Sequence, residues 1–263
     1  MPLHDLLGAL AARAVTMPAR RWFFHRKDLR DVEFPSEDGT MLRGWLAEPP
    51  ASSSARGTVV IGHGYRDDRR QMLSIVPGLG ALGLRALLID FRAHGRSGGS
   101  RITIGTEEAR DVRASLRWAE QFSVPVSYVG FSMGAAAYLL AGQEAHAAVL
   151  DSPYDTLAES IAVRGAFLRM PKPVMSAFRR AKEDRCELLI DDVRPIDAVS
   201  KLTRKTLLVF ARGDHWVGPT ARQHYREAMS PSCEYVEVAG GHDAHFDTGW
   251  VVHVTRFLEK NAL

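Results

Sequence analysis

The chain of 263 residues carries 34 Lys and Arg against 31 Asp and Glu, a formal charge of +3, with 46% hydrophobic and 25% charged residues. This is the mixture of a globular chain that can bury a sizeable core, and it excludes disorder beyond the ends. The basic residues are scattered in short pairs such as Arg20-Arg21, Arg69-Arg70 and Arg179-Arg180 and accompany no nucleic-acid motif, so no nucleic-acid partner is expected. Two cysteines, Cys186 and Cys233, lack metal-ligand spacing and are too few for a disulfide framework, which points to a reducing cytoplasm.

Along the chain, residues 1–28 read as an N-terminal helical extension and residues 29–263 as one domain. Leu3, Leu6, Leu7 and Leu10 sit at helical spacing, but Asp5, Arg13 and Arg20 interrupt the segment, so no membrane span is possible. The helix either packs on the body, which is the expectation, or lies on a membrane surface. Next, "DVEF" and "MLRGWLAE" flank the hairpin signal Asp38-Gly39. Apolar runs then alternate with helical segments: "GTVVIGHG", a helix around "QMLSIVPGLGALG", "RALLID", the helix "TEEARDVRASLRWAEQF", "VPVSYV", the helix "GAAAYLLAG" and "AHAAVLDSP". The strand "KTLLVF", the helix "TARQHYREAM", the strand "CEYVEVAG" and a last helix near "WVVHVTRFLEK" complete the order. The pattern predicts an α/β fold with about eight strands in a mostly parallel sheet covered on both faces.

Residues 155–200 break this rhythm with two helical stretches separated by "MPKP", the pattern of a small inserted cap. Its Phe167, Leu168, Met170, Met175 and Phe178 either line an apolar pocket or hold the cap down.

Two pentapeptides fit G-x-S-x-G: "GRSGG" around Ser97 and "GFSMG" around Ser132. A nucleophile elbow needs a strand running straight into the turn and a helix directly after it. Ser132 has both, whereas Ser97 lies in a loop between Asp90 and Thr106. A serine hydroxyl is a poor nucleophile at neutral pH, so a histidine must take its proton and a carboxylate must hold that histidine. Asp214, after "KTLLVF", and His242, after "CEYVEV", fall on loops at strand C-termini, where the groups of open α/β sheets gather.

His245 rivals His242, and Asp151 and Asp155 rival Asp214. His215 and Asp243 are expected behind the site or facing solvent, and the spacing of "HDAH" alone is weak evidence for a metal. The backbone N–H groups of Met133 and Tyr65 are candidates for an oxyanion hole, with His63 holding the Tyr65 loop and Arg92 and His94 bracing it. Tyr154 and Trp216, with Tyr65 and Met133, are candidates to line a substrate pocket, and Arg66 or Arg164 to hold a substrate carboxylate.

"GHGY", "DFRAHGRSGG", "GFSMG", "DSPY", "GDHWV" and "GGHDAHF", in this order over residues 29–263, resemble the α/β-hydrolase superfamily and its branch of small serine esterases. The resemblance implies an eight-stranded sheet, a cap after the sixth strand, Ser132, Asp214 and His242 as a triad, and Tyr65 and Met133 as oxyanion donors. It implies hydrolysis of a small-molecule ester without a metal or organic cofactor. A peptidase, amidase or thioesterase on the same triad and a ligand-binding protein without catalysis are the alternatives.

Overall fold

The computed structural model describes residues 1–21, 26, 28–50, 54–122, 125–244 and 247–262. The strands are β1 Ala19–Arg20, β2 Arg30–Pro35, β3 Met41–Ala47, β4 Gly57–Gly62, β5 Leu84–Asp90, β6 His94–Gly95, β7 Val126–Phe131, β8 Ala147–Asp151, β9 Lys205–Ala211 and β10 Cys233–Val238. Among the described residues, eight of them form one sheet in the order β10-β9-β8-β7-β4-β5-β3-β2. Only β3 runs against the rest, because both its neighbours pair with it antiparallel. The mostly parallel eight-stranded sheet is therefore as expected.

Every residue of β4, β7 and β8 is buried, which is why these strands read as unbroken apolar runs. Alternate side chains still serve opposite faces. Val60, Tyr128, Ala148 and Leu208 point to the face covered by α3 (Glu108–Ala119), α4 (Met133–Ala141) and α8 (Pro219–Ala228). Val59, Val129, Val149 and Val209 meet α2 (Val76–Ala81) and α9 (Thr248–Asn261) on the other. The segment expected as one helix around "QMLSIVPGLGALG" is a 3-10 turn over Arg69–Ile75 continued by α2.

Between β8 and β9 lie α5 (Leu157–Phe167), α6 (Lys172–Cys186) and the short α7 (Ile196–Val199). The N-terminal α1 (Leu3–Thr16) packs on α6 through its small side chains, Gly8 and Ala12, rather than through its leucines. A Cβ at Gly8 would stand 2.5 Å from Cβ of Ala177, so the glycine sets the closeness of the two helices. Leu3, Leu6, Leu7 and Leu10 remain exposed.

The last turn of α1 leaves backbone carbonyls without helical partners. The Tyr65 hydroxyl donates to the Val15 carbonyl at 2.7 Å and Arg66 Nη1 to that of Ala14 at 2.9 Å. β1 then pairs with β6, at the start of the "GRSGG" stretch. No helix among the described residues is long and apolar enough to cross a membrane.

Candidate active site

β7 runs into a tight turn whose Ser132 adopts φ 50° and ψ −110°, a conformation that disfavours any residue with a Cβ. The turn sits so close to the end of β4 that a Cβ on Gly134 would stand 2.6 Å from the Gly62 carbonyl oxygen. The Ser132 N–H donates to the Asp151 carbonyl at 2.7 Å, tying the turn to β8. Strain held in this way from both sides lifts the Ser132 hydroxyl above the C-terminal edge of the sheet.

Parallel pairing of β8, β9 and β10 brings the loops after β9 and β10 to the same edge. His242 Nε2 lies 3.0 Å from Ser132 Oγ, and His242 Nδ1 lies 2.6 Å from Asp214 Oδ2. The other Asp214 oxygen accepts the N–H groups of Trp216 at 2.8 Å and Val217 at 3.0 Å. Burial pushes the Asp214 carboxyl up, but His242 and these two N–H groups outweigh it and hold the group below the usual carboxylate range. An ionised Asp214 can only accept, so Nδ1 of His242 carries a proton and donates, leaving Nε2 to accept from the serine hydroxyl.

Neither the Met133 N–H, in the first turn of α4, nor the Tyr65 N–H has an acceptor among the described residues. The Tyr65 loop is held by buried neutral histidines. His63 Nε2 accepts the Phe91 N–H at 3.1 Å while Nδ1 donates to the Gly64 carbonyl at 2.7 Å. His94 Nε2 accepts the Arg66 N–H at 3.2 Å while Nδ1 donates to the Arg92 carbonyl at 2.8 Å. Burial lowers the pKa of both rings.

The Arg92 side chain, expected beside His94 as a brace, goes elsewhere. It binds Asp111 on α3 through Nη2 at 2.8 Å and Asp38 of the β2–β3 turn through Nη1 at 2.8 Å, fastening the hairpin to the helix. Ser97 is fully buried, donates to the Asp90 carbonyl at 2.6 Å and accepts the Arg43 N–H at 2.8 Å. It is a structural clamp between β5 and β3.

Among the described residues neither rival acid bonds to His242. Asp155 accepts from His224 Nδ1 at 2.9 Å and the Thr156 N–H at 2.7 Å. Asp151 accepts the Ser152 hydroxyl at 2.8 Å, and burial pushes its carboxyl up to about 8. An unfolded aspartate ionises near 4, so between about 4 and about 8 the unfolded chain gives up a proton that the folded chain keeps, and stability falls as pH rises through that window. Asp151→Asn is expected to stabilise the protein at pH 8 by roughly 2–5 kcal/mol, with the gain vanishing toward pH 4. Urea unfolding midpoints at the two pH values check this, and an equal change at both would refute it. His215 and Asp243 are exposed, while His245 lies outside the described residues.

Beside the site opens a cavity of about 420 Å³. Tyr65 and Trp216, both next to the candidate groups, lie on its wall, and so do all five apolar residues singled out from the end of α5 to α6. Tyr154 lies off this wall, buried, with its hydroxyl donating to the Ile104 carbonyl, and it lines a smaller adjoining cavity with Ser160 and Trp216. Met133 is also buried rather than on the wall, and Arg66 is exposed and turned to α1. Ala11, Ala14 and Val15 of α1 complete the wall. The sequence signal for them was the small-residue face of the N-terminal helix, masked by the more conspicuous leucines.

The family model described as serine aminopeptidase, S33, matches residues 53–203, more than half of the chain. The chain belongs to that family. It is thus a member of the α/β-hydrolase superfamily. It is 25% identical over 235 residues to the uncharacterised protein YqkD of Bacillus subtilis, covering 83% of this chain and 74% of that one. Over 83 residues, 30% of each chain, it is 35% identical to a monoacylglycerol lipase of Mycolicibacterium smegmatis. Among solved structures it is similar to the Pyrococcus furiosus esterase Pf2001, with a TM-score of 0.76 and 25% identity over 95% of this chain and 99% of that one. Membership of a hydrolase family with an esterase among its structural neighbours supports a hydrolase acting on an ester.

Proposed function

We propose that this S33-family hydrolase cleaves carboxylic esters through Ser132, His242 and Asp214. The observation that carries the reading is the unbroken hydrogen-bonded chain from Asp214 through His242 to Ser132, at 2.6 and 3.0 Å. His242 Nε2 takes the proton of Ser132 as Oγ attacks the ester carbonyl carbon, and Asp214 stabilises the resulting imidazolium. The carbonyl oxygen, now negative, is received by the N–H groups of Met133 and Tyr65, and the start of α4 adds its positive end. His242 then protonates the leaving alcohol. A water, deprotonated by His242, attacks the acyl-Ser132 ester and frees the acid and the serine.

In the same reading, α5 and α6 within residues 155–200 act as a cap over the apolar cavity, and α1 of the extension completes its wall. The similarities to an esterase and, over a shorter stretch, to a monoacylglycerol lipase favour esters over amides. Stoichiometric labelling by a fluorophosphonate probe at Ser132, with parallel loss of hydrolysis of short and medium p-nitrophenyl esters, is the expected result. No labelling and no hydrolysis would favour a protein that binds a ligand without turning it over.

A further inference from the structure

Among the described residues that line the apolar cavity, Arg164 alone is charged. Its Nη1 donates to the Ser160 carbonyl at 3.1 Å and hydroxyl at 2.6 Å, and its guanidinium carbon lies 5.0 Å from the centre of the Trp216 ring. The opposite edge, Nε and Nη2, has no acceptor among the described residues, and neither nitrogen is sealed inside the protein. That edge is the fork that matches a carboxylate with two parallel hydrogen bonds.

Elsewhere in this protein the same edge is spent in that way. Arg26 grips Asp28 through Nε at 3.0 Å and Nη2 at 2.6 Å, and Arg70 grips Asp68 through both nitrogens at 2.8 Å. Arg194 holds Asp197 at 2.8 and 3.3 Å. Arg164 has the anchor and the aromatic shelf of a fixed arginine but no carboxylate of its own. Asp214, whose charge acts on it, is already engaged by His242. Burial lowers the pKa of Arg164, the mark of a cation short of compensation.

We infer that Arg164 receives a carboxylate of the substrate, so that the preferred ester carries a carboxylate separated from its scissile carbonyl by an apolar stretch. This rests on the ester-hydrolase reading above. A single planar monoanion suits one guanidinium fork in an otherwise apolar cavity. A dianion would bring a second charge with nothing to meet it.

The test compares kcat/KM for p-nitrophenyl octanoate with the mono-p-nitrophenyl ester of octanedioic acid, which places the carboxylate in the acyl half. Phenyl octanoate against 4-carboxyphenyl octanoate places it in the alcohol half. The quantity read is the ratio of charged to neutral ester in wild type, Arg164→Met and Arg164→Lys, in which general losses and leaving-group reactivity cancel. In at least one pair the ratio is expected to fall about 10- to 100-fold in Arg164→Met, mainly through KM, and to recover in part in Arg164→Lys. Ratios within twofold of each other across the three proteins, in both pairs, would overturn the inference while leaving ester hydrolysis standing. Absence of Ser132-dependent hydrolysis of the neutral esters would overturn the ester reading itself, and this inference with it.

Discussion

Ser132→Ala is expected to lower kcat on a p-nitrophenyl ester by about 10⁴- to 10⁶-fold, with CD spectrum and melting temperature close to wild type. The substitution removes the oxygen that stands 3.0 Å from His242 Nε2 and leaves the backbone turn in place. The other serine in the same letter pattern is the natural control. Ser97 is fully buried with its hydroxyl bound to the Asp90 carbonyl, out of reach of any substrate. Ser97→Ala is therefore expected to lower stability by about 1 kcal/mol rather than the rate by orders of magnitude. Equal rates for Ser132→Ala and wild type would remove Ser132 from the mechanism.

Asp214→Asn is expected to lower kcat by about 10⁴-fold, for a reason that lies in hydrogen-bond polarity rather than in charge alone. One Asp214 oxygen is committed as acceptor to two backbone N–H groups, those of Trp216 and Val217. In an asparagine the carbonyl oxygen must take that position, which turns the amide nitrogen toward His242. His242 Nδ1 then has to accept, its proton moves to Nε2, and the ring can no longer take the proton of Ser132. Asp151→Asn, on a neighbouring strand end, is expected to keep kcat within about threefold, because its carboxyl is already neutral at pH 7. Steady-state rates of the two variants at pH 7 separate the two acids, and a reversed order would transfer the role to Asp151.

Most of the sheet was legible because each core strand is a short Val, Ile and Leu run closed by glycine, proline or aspartate, the imprint of burial on both faces. The β1–β6 pair was not, since two residues on each side join through backbone groups alone and leave no periodicity. The Ser97 and Ser132 stretches could be told apart because an elbow demands a strand before and a helix after, and both are local features. Arg92 was misread because a buried arginine is claimed by whichever carboxylates the fold delivers. Here these are Asp111 on α3 and Asp38 in the hairpin turn, neither adjacent in sequence. The partner of Tyr154 was not legible for a related reason: its hydroxyl is engaged by the carbonyl of Ile104, fifty residues away in sequence. The N-terminal helix was visible in its leucine spacing, whereas its contact face was not. Gly8 and Ala12 gain their packing by letting α6 approach, an advantage that hydrophobicity does not measure.

The carbonyl end of α1 is held by the side chains of Tyr65 and Arg66, and the backbone N–H of that same tyrosine is one of the two proposed to meet the oxyanion. A displacement of the helix would therefore be passed to the loop through these two bonds. A ligand that bound the leucine-bearing surface of α1 more tightly in one arrangement than in another would bias the loop by that difference in affinity, and an acyl group that preferred the same arrangement would strengthen the binding of that ligand by the same factor. One tyrosine thus joins the two: its hydroxyl holds the helix, and its backbone N–H is a proposed oxyanion donor.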